Sequence, residues 1–91
     1  MNHIEIQENL SKLNNWDIIE NHHLFKSFSF PDFKKALEFV NKIGEIAEKQ
    51  NHHPNISFTY GKVELIIFSH DIDGISERDF NLAKEIDLLK S

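Results

Sequence analysis

The chain has 91 residues, no cysteine, and a net charge of −5 from ten Lys and Arg against fifteen Asp and Glu. That length suits one domain, spanning residues 1–91, with one core, and the acidic balance without a basic run argues against direct nucleic-acid binding. Lack of cysteine removes disulfide scaffolds, thiolate chemistry and cysteine-held zinc together, so any metal would have to be held by His and carboxylates.

The opening Met1-Asn2-His3-Ile4-Glu5 has neither a basic leader nor an apolar run, and no segment approaches a membrane span, so a cytoplasmic protein is expected. From Ile4 to Leu13, the residues Ile6, Leu10 and Leu13 fall at helical spacing and predict a short amphipathic helix ended by Asn14-Asn15. Trp16 to Ile19 and Leu24 to Phe28 are β-rich, with a polar turn at Glu20-Asn21-His22-His23, which predicts a hairpin.

A long helix is expected over Asp32 to Gln50. Ser29 is its expected cap, Pro31 and Asp32 lie in the first turn, and Phe28 staples to Phe33. Phe33, Leu37, Val40, Ile43 and Ala47 recur at spacings of three and four and predict its buried face. Gly44 lowers helix propensity in mid-course, which points to close approach of another element. Asn51 suits the left-handed residue that ends a helix, and Pro54 prevents continuation.

Two alternating runs follow, Ile56 to Tyr60 and Val63 to Ile67, joined by a tight turn at Gly61. Tyr60, as the last apolar position of its run, is expected in the core. Ile66, Phe68 and His70 share the face opposite Val63, Leu65 and Ile67, which is too apolar for open solvent and suggests a ligand pocket or subunit contact. The last helix starts at Ser76, with Asp79 at its third position and Ile75 stapled to Phe80; Leu82, Ala83, Ile86 and Leu89 form its buried stripe. The order α-β-β-α-β-β-α predicts an α+β fold, a four-stranded and largely antiparallel sheet covered by helices.

Chemistry concentrates in one frame: Glu48-x3-His52-His53-Pro54-x5-Tyr60-x9-His70-x8-Asp79. Imidazole titrates near neutrality, so three histidines in one frame suit either metal binding or proton transfer. A three-histidine metal site is disfavoured because the neighbours His52 and His53 point apart on an extended backbone. The second pair, His22-His23, has no carboxylate, proline or aromatic frame and reads as solvated surface. Asp79 is accounted for by helix capping. Metal-free acid–base chemistry is the reading that remains.

With every position of this frame filled, the chain resembles the pterin-4a-carbinolamine dehydratase family. Likeness extends through Trp16, the segment from Leu24 to Phe33, Gly74-Ile75-Ser76-Glu77-Arg78-Asp79 and Asn81-Leu82-Ala83. The resemblance implies dehydration of 4a-hydroxytetrahydrobiopterin to the quinonoid dihydropterin, without metal or redox cofactor. It implies that His52, His53 and His70 form the active site, with His52 and His70 moving protons and His53 orienting the pterin. Glu48 would bind pterin or orient a histidine, and Asp79 would support the His70 loop; Pro54 belongs to the same motif.

Two positions depart from relatives: Asn51 stands where many have Asp, and Ile56 where some have Trp, leaving an apolar wall but no stacking surface. The implied partners are an aromatic amino-acid hydroxylase as functional source of substrate and further copies of the chain, as a homodimer or homotetramer. Two other readings follow from the same resemblance: a non-enzymatic dimerization cofactor using the long helix as a scaffold, and a dehydratase-like protein acting on another pterin, as in molybdopterin metabolism.

Overall fold

The structure is a computed structural model and describes residues 1–89. Its elements are α1 (His3–Leu10), β1 (Asp17–Ile19), β2 (His23–Ser29), α2 (Phe33–Gln50), β3 (Asn55–Thr59), β4 (Lys62–Ile67) and α3 (Glu77–Leu89). The predicted order and the α+β class are therefore both found. Strands run β1-β2-β4-β3 across one sheet, and every neighbouring pair is antiparallel.

Register decides which residues make the core. Leu24 lies opposite Ile67, Phe28 opposite Val63, and Ile56 opposite Leu65, and directly opposed residues share a face. Leu24, Val63, Leu65 and Ile67 are wholly buried there. Ile6 of α1, Ala36, Phe39 and Ile43 of α2, and Phe80, Leu82, Ala83 and Ile86 of α3 join them in one cluster, so the helices pack on that face. Phe25, Ile66 and Phe68 are only partly buried on or beside the other face.

Several local expectations change. The first helix ends at Leu10, and Leu13 enters the core from the following turn. Its start is fixed by a reciprocal capping box between Asn2 and Glu5, a pattern that sequence reasoning passed over. The long helix is capped by Asp32, not Ser29, which is the last residue of β2. Asp32 holds extended backbone and accepts a hydrogen bond from the Lys35 amide at 2.8 Å, leaving Pro31 outside the helix.

The buried stripe of α2 is Ala36, Phe39, Ile43 and Ala47, so the expected positions Phe33 and Leu37 fall outside it. Phe39 takes the core side because Phe28 and Phe30 meet its ring at 4.7 and 5.1 Å. Phe33 instead stacks on Phe58 at 5.0 Å, and Leu37 is exposed. A Cβ at Gly44 would meet nothing within 4 Å, so no close approach explains that glycine. Gly61 is the glycine with a steric reason: a Cβ there would lie 2.8 Å from the Phe30 carbonyl oxygen. Tyr60 is exposed, not core, because β3 ends at Thr59 and Tyr60 falls in the turn that follows.

A partly buried polar hub lies at the margin of the core. The Asp87 carboxylate accepts from Trp16 Nε1 at 2.8 Å, Lys26 Nζ at 3.0 Å and the Asn14 amide at 3.0 Å, joining α3 to both ends of the first hairpin. Lys26 also lies over the Trp16 and Phe28 rings, so its nearly buried charge is neutralised by a carboxylate and two π faces. Replacing Asp87 by Ala would leave that ammonium unpaired, and a loss of about 3 kcal/mol in urea unfolding is expected. Gly44→Ala should act oppositely, stabilising the helix by about 0.5–1 kcal/mol in the same measurement.

Candidate active site

The end of α2 sets the direction of the histidine pair. Asn51 takes the left-handed conformation (φ 51°, ψ 43°), and its amide is bonded to the Ala47 and Glu48 carbonyls. The His52 amide also returns to the Ala47 oxygen, at 3.1 Å, closing the helix. The chain leaves in extended form towards Pro54, so consecutive side chains diverge. His52 turns inward and is 9% exposed; His53 turns outward.

Each histidine of the pair meets its own carboxylate. His52 Nε2 is hydrogen-bonded to Asp79 Oδ1, and His53 Nε2 to Glu48 Oε2 one turn back along α2. Asp79 is wholly buried, which would be costly for a bare carboxylate. Its second oxygen is satisfied by the Ser76 amide at 2.7 Å and the Ser69 hydroxyl at 3.1 Å, and the two serine hydroxyls lie 2.6 Å apart. Because an ionised carboxylate only accepts, His52 carries its hydrogen on Nε2, leaving Nδ1 uncommitted to Asp79. Asp79 therefore does more than cap α3: it also fixes the ring and tautomer of His52.

His70 comes from a short turn after β4. Ser69 and Gly74 close that turn through amide-to-carbonyl bonds of 2.8 and 3.3 Å, placing His70 at its outer edge while Ser69 stays buried. The His70 ring lies 4.2 Å from Phe68. Arg78 braces the turn from α3 by donating to Asp71 Oδ1 at 2.6 Å. This side-chain bond holds the Asp71 carboxyl below the usual carboxylate range, aided by the positive charge of Arg78.

These segments enclose an open cavity of about 470 Å³ between residues 51–55, His70, Asp71 and Arg78. All three histidines of the frame line it, with Asn51 and Pro54. A second cavity of about 450 Å³, lined by Gln50, Asn81, Lys84 and Glu85, shares His52 and Arg78 with the first. Glu48 does not line the first cavity and reaches it through His53. Ile56 does not line it either, since register places it on the sheet face of Leu65; Asn55 occupies the rim. The sequence alone gives no site role to Arg78, Ser69 or Asn55, although Arg78 belongs to the family-like run from Gly74 to Asp79.

His22 and His23 are not plain solvated surface: both are partly buried, and their rings lie 4.6 and 6.5 Å from Phe68. Among the described residues, no group of three or more His, Asp or Glu side chains is arranged to hold a metal ion. No helix among them is long and apolar enough to cross a membrane.

The family profile described as Pterin 4 alpha carbinolamine dehydratase matches residues 1–89. A relative from Rubrobacter xylanophilus, named "Putative pterin-4-alpha-carbinolamine dehydratase", is 46% identical over 93% of this chain and 79% of its own. One of the same name from Sulfurisphaera tokodaii is 44% identical over 93% and 90%. A crystal structure of a transcriptional coactivator/pterin dehydratase from Brucella melitensis superposes with a TM-score of 0.95, covering 100% of this chain and 98% of that one at 27% identity. A pterin dehydratase-like protein described as a RuBisCO assembly factor in the alpha-carboxysome shares the fold, with a TM-score of 0.72 at 23% identity over 84% of this chain and 89% of that one.

Asp79→Ala would orphan three donors, His52 Nε2, the Ser76 amide and the Ser69 hydroxyl, and a loss of about 2–4 kcal/mol in chemical unfolding is expected. The Arg78–Asp71 tie has a defined pH sign. A lowered carboxyl pKa means that the tie is complete above the ordinary carboxylate range and is lost only as pH falls below it. Carbon-13 NMR titration of Asp71 should follow that course, and Arg78→Ala should return its midpoint to the ordinary value.

Proposed function

The chain belongs to the pterin-4a-carbinolamine dehydratase family, and from that premise we propose that it dehydrates 4a-hydroxytetrahydrobiopterin to quinonoid dihydropterin and water. The observation that carries this reading is the convergence of His52, His53 and His70 on one cavity, with His52 backed by a buried carboxylate. In the reaction the C4a–O bond breaks, a proton joins the departing hydroxyl to make water, and the N5 proton leaves as the C4a=N5 bond forms. One proton enters and one leaves, so two positioned imidazoles balance the step without a redox cofactor.

The roles follow from the surroundings of each ring. His52 is the base: Asp79 holds its Nε2–H, leaves Nδ1 as acceptor, and stabilises the imidazolium formed when that nitrogen takes the proton. His70 has no side-chain hydrogen bond to the described residues and serves as the acid that delivers a proton to the leaving hydroxyl. His53, at the rim and tied to Glu48, orients the pterin. Asn51 contributes its backbone geometry and Pro54 the extended exit. Ile56 has no contact role at the cavity in this reading. The substrate would come from an aromatic amino-acid hydroxylase in the cytoplasm, and the product would return to tetrahydrobiopterin recycling.

A specific observation also favours a protein contact. Phe33 and Leu37, one turn apart on the outer side of α2, are 50% and 39% exposed. We assign this stripe to contact between copies of the chain.

Stopped-flow decay of enzymatically generated 4a-hydroxytetrahydrobiopterin tests the activity. Wild type should accelerate it, undiminished after chelator treatment. His52→Ala and His70→Ala should each lower kcat by about 10²- to 10⁴-fold, while His53→Ala should chiefly raise KM. No acceleration by folded wild type sinks the reading. For the oligomer, Leu37→Glu should shift sedimentation towards a smaller species.

A further inference from the structure

Three left-handed, non-glycine backbone positions lie on two turns joined by one contact outside the catalytic frame. Glu20 (φ 52°) and Asn21 (φ 55°) make the turn between β1 and β2, closed by the His22 amide on the Ile19 oxygen at 2.9 Å. Asp73 (φ 50°) stands in the turn that carries His70. Ordinary side chains enter this region at a steric cost, so surrounding contacts must hold them there. The contact that joins the two turns is His22 Nε2 to Asp73 Oδ1, at 2.8 Å.

The donor pattern is self-consistent. Asp73 accepts, so His22 carries hydrogen on Nε2, and its Nδ1 can accept from His23 Nδ1 at 3.1 Å. The His22 ring lies 4.6 Å from Phe68, and the Phe68 ring lies 4.2 Å from His70. His70 has no side-chain hydrogen bond to the described residues, so its plane depends on Phe68 and on the turn beneath it. Arg78 grips that turn at Asp71 from one side, and His22 grips it at Asp73 from the other.

We propose that His22 is a positioning residue for His70, acting through the Phe68 ring and through the turn bearing Asp73. The proposal rests on the reading of His70 as a proton-transferring group. His22 does not touch the cavity; it sets the orientation in which the His70 imidazole meets the substrate. A histidine suits the post because one flat ring can pack at a tilt against Phe68 while an edge nitrogen reaches the carboxylate. Arginine could do the same, since a guanidinium both stacks on aromatic rings and pairs with carboxylates.

The test compares wild type with His22→Ala, His22→Arg and Asp73→Gly, each verified as folded by circular dichroism. Asp73→Gly removes the carboxylate while relieving the backbone, so a loss of activity there cannot be ascribed to strain. Steady-state dehydration of the 4a-hydroxypterin is measured beside the His70 ring resonances by NMR. His22→Ala and Asp73→Gly should lower kcat about 10-fold with KM within about twofold, and His22→Arg should restore kcat to within about threefold of wild type. In the first two variants the His70 ring protons should move towards the positions of a free histidine, because the His70 ring no longer holds its place beside the Phe68 ring. Unchanged His70 resonances and unchanged kcat in folded His22→Ala overturn the proposal. A wild type without dehydratase activity overturns the previous reading instead, and the His70 resonances still decide whether His22 holds the ring.

Discussion

The buried carboxylate of Asp79 is the constraint on which the site depends. It sits at the start of α3, where its backbone belongs to the helix and its side chain to everything else. One oxygen holds His52 from the end of α2; the other holds Ser76 at the helix start and Ser69 at the end of β4. One distant residue, 27 positions away, and two near ones, three and ten positions away, thus share one carboxylate. A fully buried carboxylate is tolerable only when its lone pairs are used, and here three donors use them. The arrangement converts the cost of burying charge into a demand for fixed geometry, and the histidine is the group whose geometry gets fixed.

The remaining chemistry sits outside that core, on segments braced less deeply. His53 and Glu48 meet at the surface, and such exposed pairs contribute little to stability. Their value is in shaping the rim. His70 lies on a short turn whose two acidic residues are each held from a different element, Asp71 by Arg78 and Asp73 by His22. The site therefore grades from a rigid inner imidazole to an outer one carried on a braced turn. A reaction that adds one proton and removes another needs two groups in different surroundings, and this gradient supplies them.

Much of this was legible in the sequence because the signals were local. Alternation in Val63-Glu64-Leu65-Ile66-Ile67 fixed β4, the Asn51 terminator ended α2 where expected, and the divergence of His52 from His53 followed from pre-proline geometry. What was missed depends on pairing across the fold. Spacing alone fits two overlapping faces of α2, one of them through Phe33 and Leu37; the Phe28–Phe39–Phe30 ring cluster decides between them. Ser29 and Asp32 both look like caps, and only the end of β2 removes Ser29. Capping and support of the His70 turn are legible for Asp79 in the sequence, but its bond to His52 is not, since that partner lies 27 positions away in the chain. His22-His23 reads as surface in the sequence because its partners, Phe68 and Asp73, approach it only once β2 pairs with β4.

The adjacency of His52 and His53 then acquires a physical meaning. On an extended backbone two neighbours cannot serve one point, so a pair placed after a helix end reaches one partner inside and one outside. The inward member is held by a buried carboxylate, and the outward member, paired with an exposed one, stands at the rim where a ligand can meet it. The same divergence that weakens the pair as a metal grip strengthens it as a division of labour. Residue type gives both positions the same chemistry; the left-handed turn at Asn51 gives them different surroundings, and the difference in surroundings is what the proposed reaction uses.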